Sequence, residues 1–406
     1  MLLGTLLILK YANYYWKTIH EMVGIVPKEE KLIHILVPIG ISFYTLQLVS
    51  YLVDVYRKNI EPETNFLKFA LYTSWFPHIL QGPIARYDKL SKTLYQGTKV
   101  TYHSFTFGFQ LVLWGIAKKI IIADRAYLFV NEVYTNYTKY GFVEIVFATI
   151  LYGIQLYADF SACVDISRGV SQIFGIELQA NFEQPYFATS VKDFWRRWHI
   201  SLSTWLRDYV FIPLGGSRCS KVRRYINILI TFAVSGVWHG VGLQFFVWGI
   251  LHGVYQAFGN ITLDCREKLK EKISLDWNGT LAHIFKCLFT FVLVDFAWLF
   301  FRATSLNDAI QMIKRASSNI NPWVIFDQSL YQLGITQREM YLLICSIVIM
   351  FIVDYLHEKK VEIRKYIASC HIPLRWTLYL LLIFSIIIFG KYGFGYNAAD
   401  FIYMQF

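Results

Sequence analysis

Runs of about twenty apolar residues, the length that crosses a bilayer core as an α-helix, recur from one end of this chain to the other. The thirteen residues LYLLLIFSIIIFG at the heart of the last run carry no charge at all. The candidate spans are residues 1–16, 32–54, 66–84, 105–123, 141–162, 225–239, 241–258, 282–301, 340–356 and 375–395. That makes about ten, some short enough to be tilted or re-entrant. Hydrophobic residues make up 55% of the 406 and charged ones only 17%, against about 25% charged in an ordinary globular protein. A soluble core cannot hide that much apolar surface, and the same figures exclude a disordered, a collagen-like or a disulfide-stapled chain. The expectation is an all-α polytopic integral membrane protein. The run at Met1 lacks the basic start and small-residue cleavage site of a secretory signal and reads as an uncleaved span. With no repeat and no long linker, residues 1–406 read as a single domain.

The formal charge of +11 suits a membrane protein, which gathers Lys and Arg in cytoplasmic loops and beside anionic headgroups. No nucleic-acid-binding module accompanies it. The cysteines (163, 219, 265, 287, 345 and 370) form no C-x-x-C pair, so neither a zinc site nor a disulfide framework is expected. Residues 262–279 and 303–339 are polar enough to be extramembrane. Residues 185–224, PYFATSVKDFWRRWHISLSTWLRDYVFIPLGGSRCSKVRR, are too polar to cross lipid and too aromatic for a solvated loop. Basic and aromatic side chains mixed in this way suit an interfacial or re-entrant element, placed on the cytoplasmic side by its cations. The turn Pro213-Leu-Gly-Gly216 is expected to end it.

Ionisable residues inside a membrane are costly and so are functional candidates. His239 sits in Ser235-Gly-Val-Trp-His239-Gly240 between apolar runs, and glycines 236 and 240 allow close approach of a helix or ligand. It is either a reactive base or a structural histidine bonded to a carbonyl. His252 lies thirteen residues on; on one continuous helix the two rings face different ways. A metal site is not expected, because no Asp, Glu or Cys is near. His199, in Trp-Arg-Arg-Trp-His-Ile-Ser, could face a donor's phosphates, assist proton transfer or pack beneath Trp195 and Trp198. Asp124, Asp159, Asp165, Asp295 and Asp354 fall in or at the ends of spans. Asp159 and Asp165 border an expected turn at Ala158–Cys163, where they line a polar cavity or cap helices. There is no G-x-S-x-G elbow, Walker loop or G-x-G-x-x-G.

These motifs resemble those of the membrane-bound O-acyltransferases, in particular the branch of alginate O-acetyltransferases and related polysaccharide O-acetylation proteins. The matching text is Gly40-Ile-Ser-Phe-Tyr44, Ser50–Arg57, Gly82-Pro-Ile-Ala-Arg-Tyr87, Tyr157-Ala-Asp-Phe-Ser161, Asp193–Tyr209, Ile212–Gly216, Gly236-Val-Trp-His-Gly240, Trp298–Ala303 and Phe401–Phe406. The resemblance covers nearly the whole chain. It implies transfer of an acyl group from a cytoplasmic thioester, acetyl-CoA or an acyl carrier protein, to a hydroxyl of an envelope or exopolysaccharide such as alginate or peptidoglycan. It further implies His239 as the catalytic residue and His199 as the second. Trp238, Arg197, Trp198, Ser201, Arg207 and Asp208, in the same motifs, become candidate substrate-binding positions. No bound cofactor is implied. A separate extracytoplasmic acetyl-transfer protein and the inner (cytoplasmic) membrane are. Family members carry further spans before the text matching Leu9-Lys-Tyr-Ala-Asn13, so the amino end reads as shortened or as starting at a different site. The D-alanyl-transfer branch, which acts on teichoic acid, shares R-W-H-I-S-L-S and W-H-G. The motifs therefore do not fix the acyl group.

The physical chemistry agrees. A hydroxyl is a weak nucleophile at neutral pH, histidine titrates closest to that range, and burial favours its neutral, proton-accepting form. A transporter is the competing class, yet such folds usually show two related halves, and none is visible here.

Overall fold

Apolar helices can carry buried charges when those charges neutralise one another. In the computed structural model, which describes Gly4 and residues 40–79, 81–272, 276–277 and 279–392, this pairing organises the first half of the bundle. Helix α1 (Ile41–Tyr56), α2 (Phe66–Thr73) and α3 (Tyr87–Gln96) precede a long rod. The rod consists of α4 (Tyr102–Ala117), a π-helical turn at Lys118–Ala123 and α5 (Asp124–Thr135). It lies along α6 (Phe142–Ile173).

Small residues let α4 and α6 touch backbone to backbone, the close approach that drives helix pairing in lipid. A Cβ on Gly169 would lie 2.6 Å from the Gly108 carbonyl oxygen, and one on Gly115 would lie 2.7 Å from that of Ala162. The π turn then aims two consecutive lysines at α6. Lys118 Nζ pairs with Asp165 at 2.7 Å, and Lys119 Nζ bridges Asp159 at 2.8 Å and Asp124 at 2.9 Å. Helix α6 runs unbroken through Ala158–Cys163. The expected turn there is absent, because neutralised aspartates do not need to leave the helix.

Short helices α7 (Val191–Arg197) and α8 (Ile200–Leu206) follow, with a π-helical turn at Arg207–Phe211. Gly215 and Gly216 then take φ of 110° and 55°, which glycine adopts at no steric cost. Helices α9 (Lys221–His239) and α10 (Leu243–Ile261) form an antiparallel hairpin. The exposed α11 (Leu263–Lys272) leads to α12 (Thr280–Arg302), which packs on α6 and α10. The polar excursion folds as α13 (Leu306–Ser318), which buries Ala309 and Met312, and two 3₁₀ turns. Helices α14 (Gln337–Glu358), α15 (Ile363–Ser369) and α16 (Ile372–Phe389) complete the described fold. All regular structure among the described residues is helical.

Among those residues, five helical stretches are long and apolar enough to cross a membrane: 102–135, 142–173, 280–302, 337–358 and 372–389. This is fewer than the ten expected. The run at 66–84 yields only the eight residues of α2 and then turns, because Pro77 and Pro83 cannot donate backbone hydrogen bonds. Helix α9 spends its first turn on Lys221, Arg223 and Arg224. Apart from Gly4, the run at 1–16 lies outside the described residues, as do residues 32–39 and Phe401–Phe406. No residue of α16 is fully buried; the helix leans on α4, where Tyr379 accepts from Gln110 at 2.8 Å, and leaves most of its apolar surface exposed. The core lies opposite, where Trp198, Trp248 and Trp298 are each at most 1% exposed.

Candidate active site

His239 is the last residue of α9 and is 2% exposed. Glycine is required around it. A Cβ on Gly236 would collide with the carbonyl of Phe245, and one on Gly240 with the Phe245 ring, so only glycines let α10 fold back this closely. Three rings surround the imidazole: Trp238 at 4.8 Å between ring centres, Trp248 of α10 at 5.0 Å and Phe301 of α12 at 5.2 Å.

His199 joins α7 to α8 in a left-handed conformation, φ 44° and ψ 54°, which is rare for a residue with a Cβ and is often found at functional sites. Buried Asn181 holds this turn. Its backbone carbonyl accepts from Ile200 N at 3.0 Å, and its Oδ1 accepts from Ser201 N at 3.1 Å. The His199 side chain is fully buried against Phe160 (4.7 Å), Trp238 (6.2 Å) and Phe43 (6.4 Å). Burial alone pushes its pKa down to about 3, so the ring is neutral at physiological pH. His199 and His239, 40 positions apart in sequence, thus meet on the single indole of Trp238.

His252 departs from expectation. Gly240–Gly242 break the helix, so His252 returns to the same ring cluster, 5.1 Å from the Trp248 that His239 also touches. Its Nδ1 accepts from Trp195 Nε1 at 3.2 Å. Indole nitrogen is a donor only, so the proton of His252 sits on Nε2. Among the described residues no three His, Cys, Asp or Glu side chains converge as a metal site.

The remaining candidates divide. Trp238 lies between the two histidines. Trp198 is core, 5.3 Å from Phe194 and 5.2 Å from Trp298. Ser201 Oγ accepts from Ile84 N at 3.0 Å. Arg197 is split between Asp193 at 3.2 Å and Glu358 at 2.5 Å, tying α7 to the end of α14. Arg207 is exposed and pairs with Asp208 at 2.8 Å; Asp208 also takes Arg86 at 3.0 Å. Arg197 and Arg207, together with exposed Lys192 and Arg196, line a cavity of about 910 Å³ whose buried wall includes Trp195 and Phe232. From this cavity the path inward is a sequence of rings: Trp195 to Trp248 at 5.8 Å, then Trp248 to His239 at 5.0 Å. Asn181 carried no signal in the sequence, whereas Phe160 and Phe301 fall inside the matching motifs Tyr157–Ser161 and Trp298–Ala303, which named no role for them. Trp248 carried one, since it stands four residues before His252, one helical turn away on the same face.

A family model described as MBOAT, membrane-bound O-acyltransferase family, matches residues 58–275. The chain is 33% identical over 332 residues to the peptidoglycan O-acetyltransferase of Helicobacter pylori, a match covering 74% of this chain and 59% of that protein. It is 35% identical over 306 residues to the probable alginate O-acetylase AlgI of Pseudomonas putida, covering 75% and 60%. A teichoic acid D-alanyltransferase of Bacillus subtilis is 29% identical over 278 residues, covering 65% and 68%. The chain thus spans about three fifths of the length of the first two relatives.

Proposed function

The chain belongs to the membrane-bound O-acyltransferase family, and on that premise we propose that it moves an acetyl group from a cytoplasmic thioester towards hydroxyls of an envelope or exopolysaccharide such as peptidoglycan or alginate. The observation that carries this reading is the convergence of His239 and His199 on Trp238, two ring contacts inward from a basic cavity. The cations of that cavity suit the phosphates of acetyl-CoA or of a carrier protein's prosthetic arm. In the reaction the acceptor oxygen bonds to the thioester carbonyl carbon while His239 takes its proton. The carbon–sulfur bond then breaks, and the imidazolium returns the proton to the leaving thiolate. His199, kept neutral by burial, positions Trp238 and the donor. The working site is the inner membrane, with residues 185–224 facing the cytoplasm. An extracytoplasmic transfer protein would hand the acetyl group to the polymer.

Membranes carrying the protein are incubated with labelled acetyl-CoA and polysaccharide at matched expression. His239→Ala should lower transfer by about 10²–10⁴-fold, the usual cost of losing a general base. Near-normal turnover by that variant refutes the mechanism. The similarity to a D-alanyltransferase favours a second reading, transfer of D-alanyl. Label arriving only from a D-alanyl carrier protein would replace acetyl with that group.

A further inference from the structure

A second cavity of about 730 Å³ lies between α4, α6, α14, α15 and α16, with Tyr157 and Phe182 as its wall towards the ring cluster. Its two ends differ in chemistry. One wall is apolar, with Leu378 and Leu382 from α16 and Val353 from α14. Helix α16 buries no residue fully, so its outer side is open while Leu378, Tyr379 and Leu382 line the cavity. The other end gathers Arg168, Lys360 and Arg364. It adjoins the interfacial element, because Arg197 of that element grips Glu358, which stands between His357 and Lys360 of the cavity wall.

Five cations and three carboxylates line the cavity, and the carboxylates are each engaged: Asp354 accepts from the Tyr157 hydroxyl at 2.8 Å and Glu362 pairs with Lys365 at 2.7 Å. Asp165 is already spent on Lys118 at 2.7 Å and reaches Arg168 only at 3.6 Å. Arg364 makes its hydrogen bonds through Nη1, to Phe107 O at 3.2 Å and Gln172 Oε1 at 2.9 Å, both neutral acceptors. Burial first, and the like charge of Arg168 second, push the Arg364 guanidinium below its ordinary pKa. On the wall, the buried Gln110 amide bonds Tyr379 at 2.8 Å through one atom and leaves its other polar atom without a partner. Cations at one end of a cleft, the unpartnered Gln110 Oε1 as acceptor for a headgroup hydroxyl, and an adjoining apolar slot together describe a place for an anionic, hydroxyl-bearing head with a hydrocarbon tail.

We infer that this cavity binds an anionic phospholipid of the leaflet on the basic side, its phosphate between Arg168, Lys360 and Arg364 and an acyl chain along Leu378 and Leu382. Basic pockets between membrane helices recognise lipid heads in this way. Asn181, which holds the His199 turn, also lines the cavity, so the lipid would brace the back of the histidine site. The inference does not depend on the reaction proposed above.

The test measures retention of spin-labelled phosphatidylglycerol, phosphatidylcholine and inorganic phosphate by the full chain in detergent. Phosphatidylglycerol should be retained in preference to phosphatidylcholine. Lys360→Gln combined with Arg364→Gln should weaken it roughly thirtyfold, the loss of two cation contacts. Leu382→Trp, which fills the apolar slot from α16, should also release it if the charged variant does not fold. His239→Ala should bind normally, which separates this result from any failure of the catalytic reading. Equal retention of the two lipids overturns the inference, as does binding that none of these substitutions changes. Inorganic phosphate that binds here while the lipid does not would make this a site for a soluble anion and would also overturn it.

Discussion

Gly236→Ala tests whether the α9–α10 contact positions His239. The added methyl would strike the Phe245 carbonyl oxygen and stand 3.1 Å from its carbon and 3.3 Å from Phe246 Cα. Each of these is closer than the roughly 3.5 Å at which carbon atoms pack without repulsion. The obstacles are all backbone, so no rotamer change relieves them and α10 must move. Overpacking of this kind costs about 1–3 kcal/mol. The displacement falls on the pair that matters, because His239 lies one turn beyond Gly236 and meets Trp248, one turn beyond Phe245 on α10. Gly259→Ala on the same helix is the control. Nothing lies within 4 Å of its Cβ, so stability should hold or rise by up to about 1 kcal/mol through helix propensity. Thermal unfolding of both variants in detergent, alongside acetyl transfer at matched expression, gives the comparison. If Gly236→Ala matches Gly259→Ala in stability and turnover, the contact does not hold the histidine.

Three further outcomes follow from the buried polar groups. Lys119→Met leaves Asp159 and Asp124 without their shared cation; a loss of about 3–5 kcal/mol is expected, read as reduced melting temperature and membrane yield. His252→Phe removes the acceptor of the Trp195 N–H, which should cost about 1–3 kcal/mol yet reduce transfer far less than His239→Ala. For His199 the folded pKa is about 3 against an ordinary 6.5, so between those values the unfolded chain binds the extra proton. The stabilising contribution is complete above pH 6.5 and is lost as pH falls, by about 1.4 kcal/mol per unit. His199→Asn keeps a residue that tolerates left-handed φ and should flatten that part of the pH–stability curve; an unchanged slope between pH 6.5 and 5 contradicts the assignment.

His239 was legible in the sequence because a titratable group in an apolar run has few structural reasons to be there. Its ring cage was not. Trp248 and Phe301 reach it from α10 and α12, and only the break at Gly240–Gly242 decides which face of α10 returns. A helical wheel drawn through that break set His239 and His252 apart, whereas both touch Trp248. His199 was legible as a residue and not as a conformation. Positive φ is usually announced by glycine or asparagine, and here the enforcing groups are the carbonyl and side chain of Asn181, 18 positions earlier.

The span lengths failed for a reason that bears on the chemistry. Reading 105–123 and 141–162 as membrane segments stopped the helices just before Asp124 and Asp165 and set a turn at Ala158–Cys163. Paired with Lys118 and Lys119 across the α4–α6 seam, those charges let the helices continue to 135 and 173. The extension matters because Phe160, which packs at 4.7 Å on His199, lies between the aspartates 159 and 165. Had α6 turned at Ala158–Cys163, that ring would lose its fixed place on the helix and His199 one wall of its cage. The ion pairs are therefore positioning elements for the histidine site as well as a means of keeping charge in lipid. A variant that keeps them neutral and hydrogen-bonded should preserve the geometry better than one that leaves either sign alone.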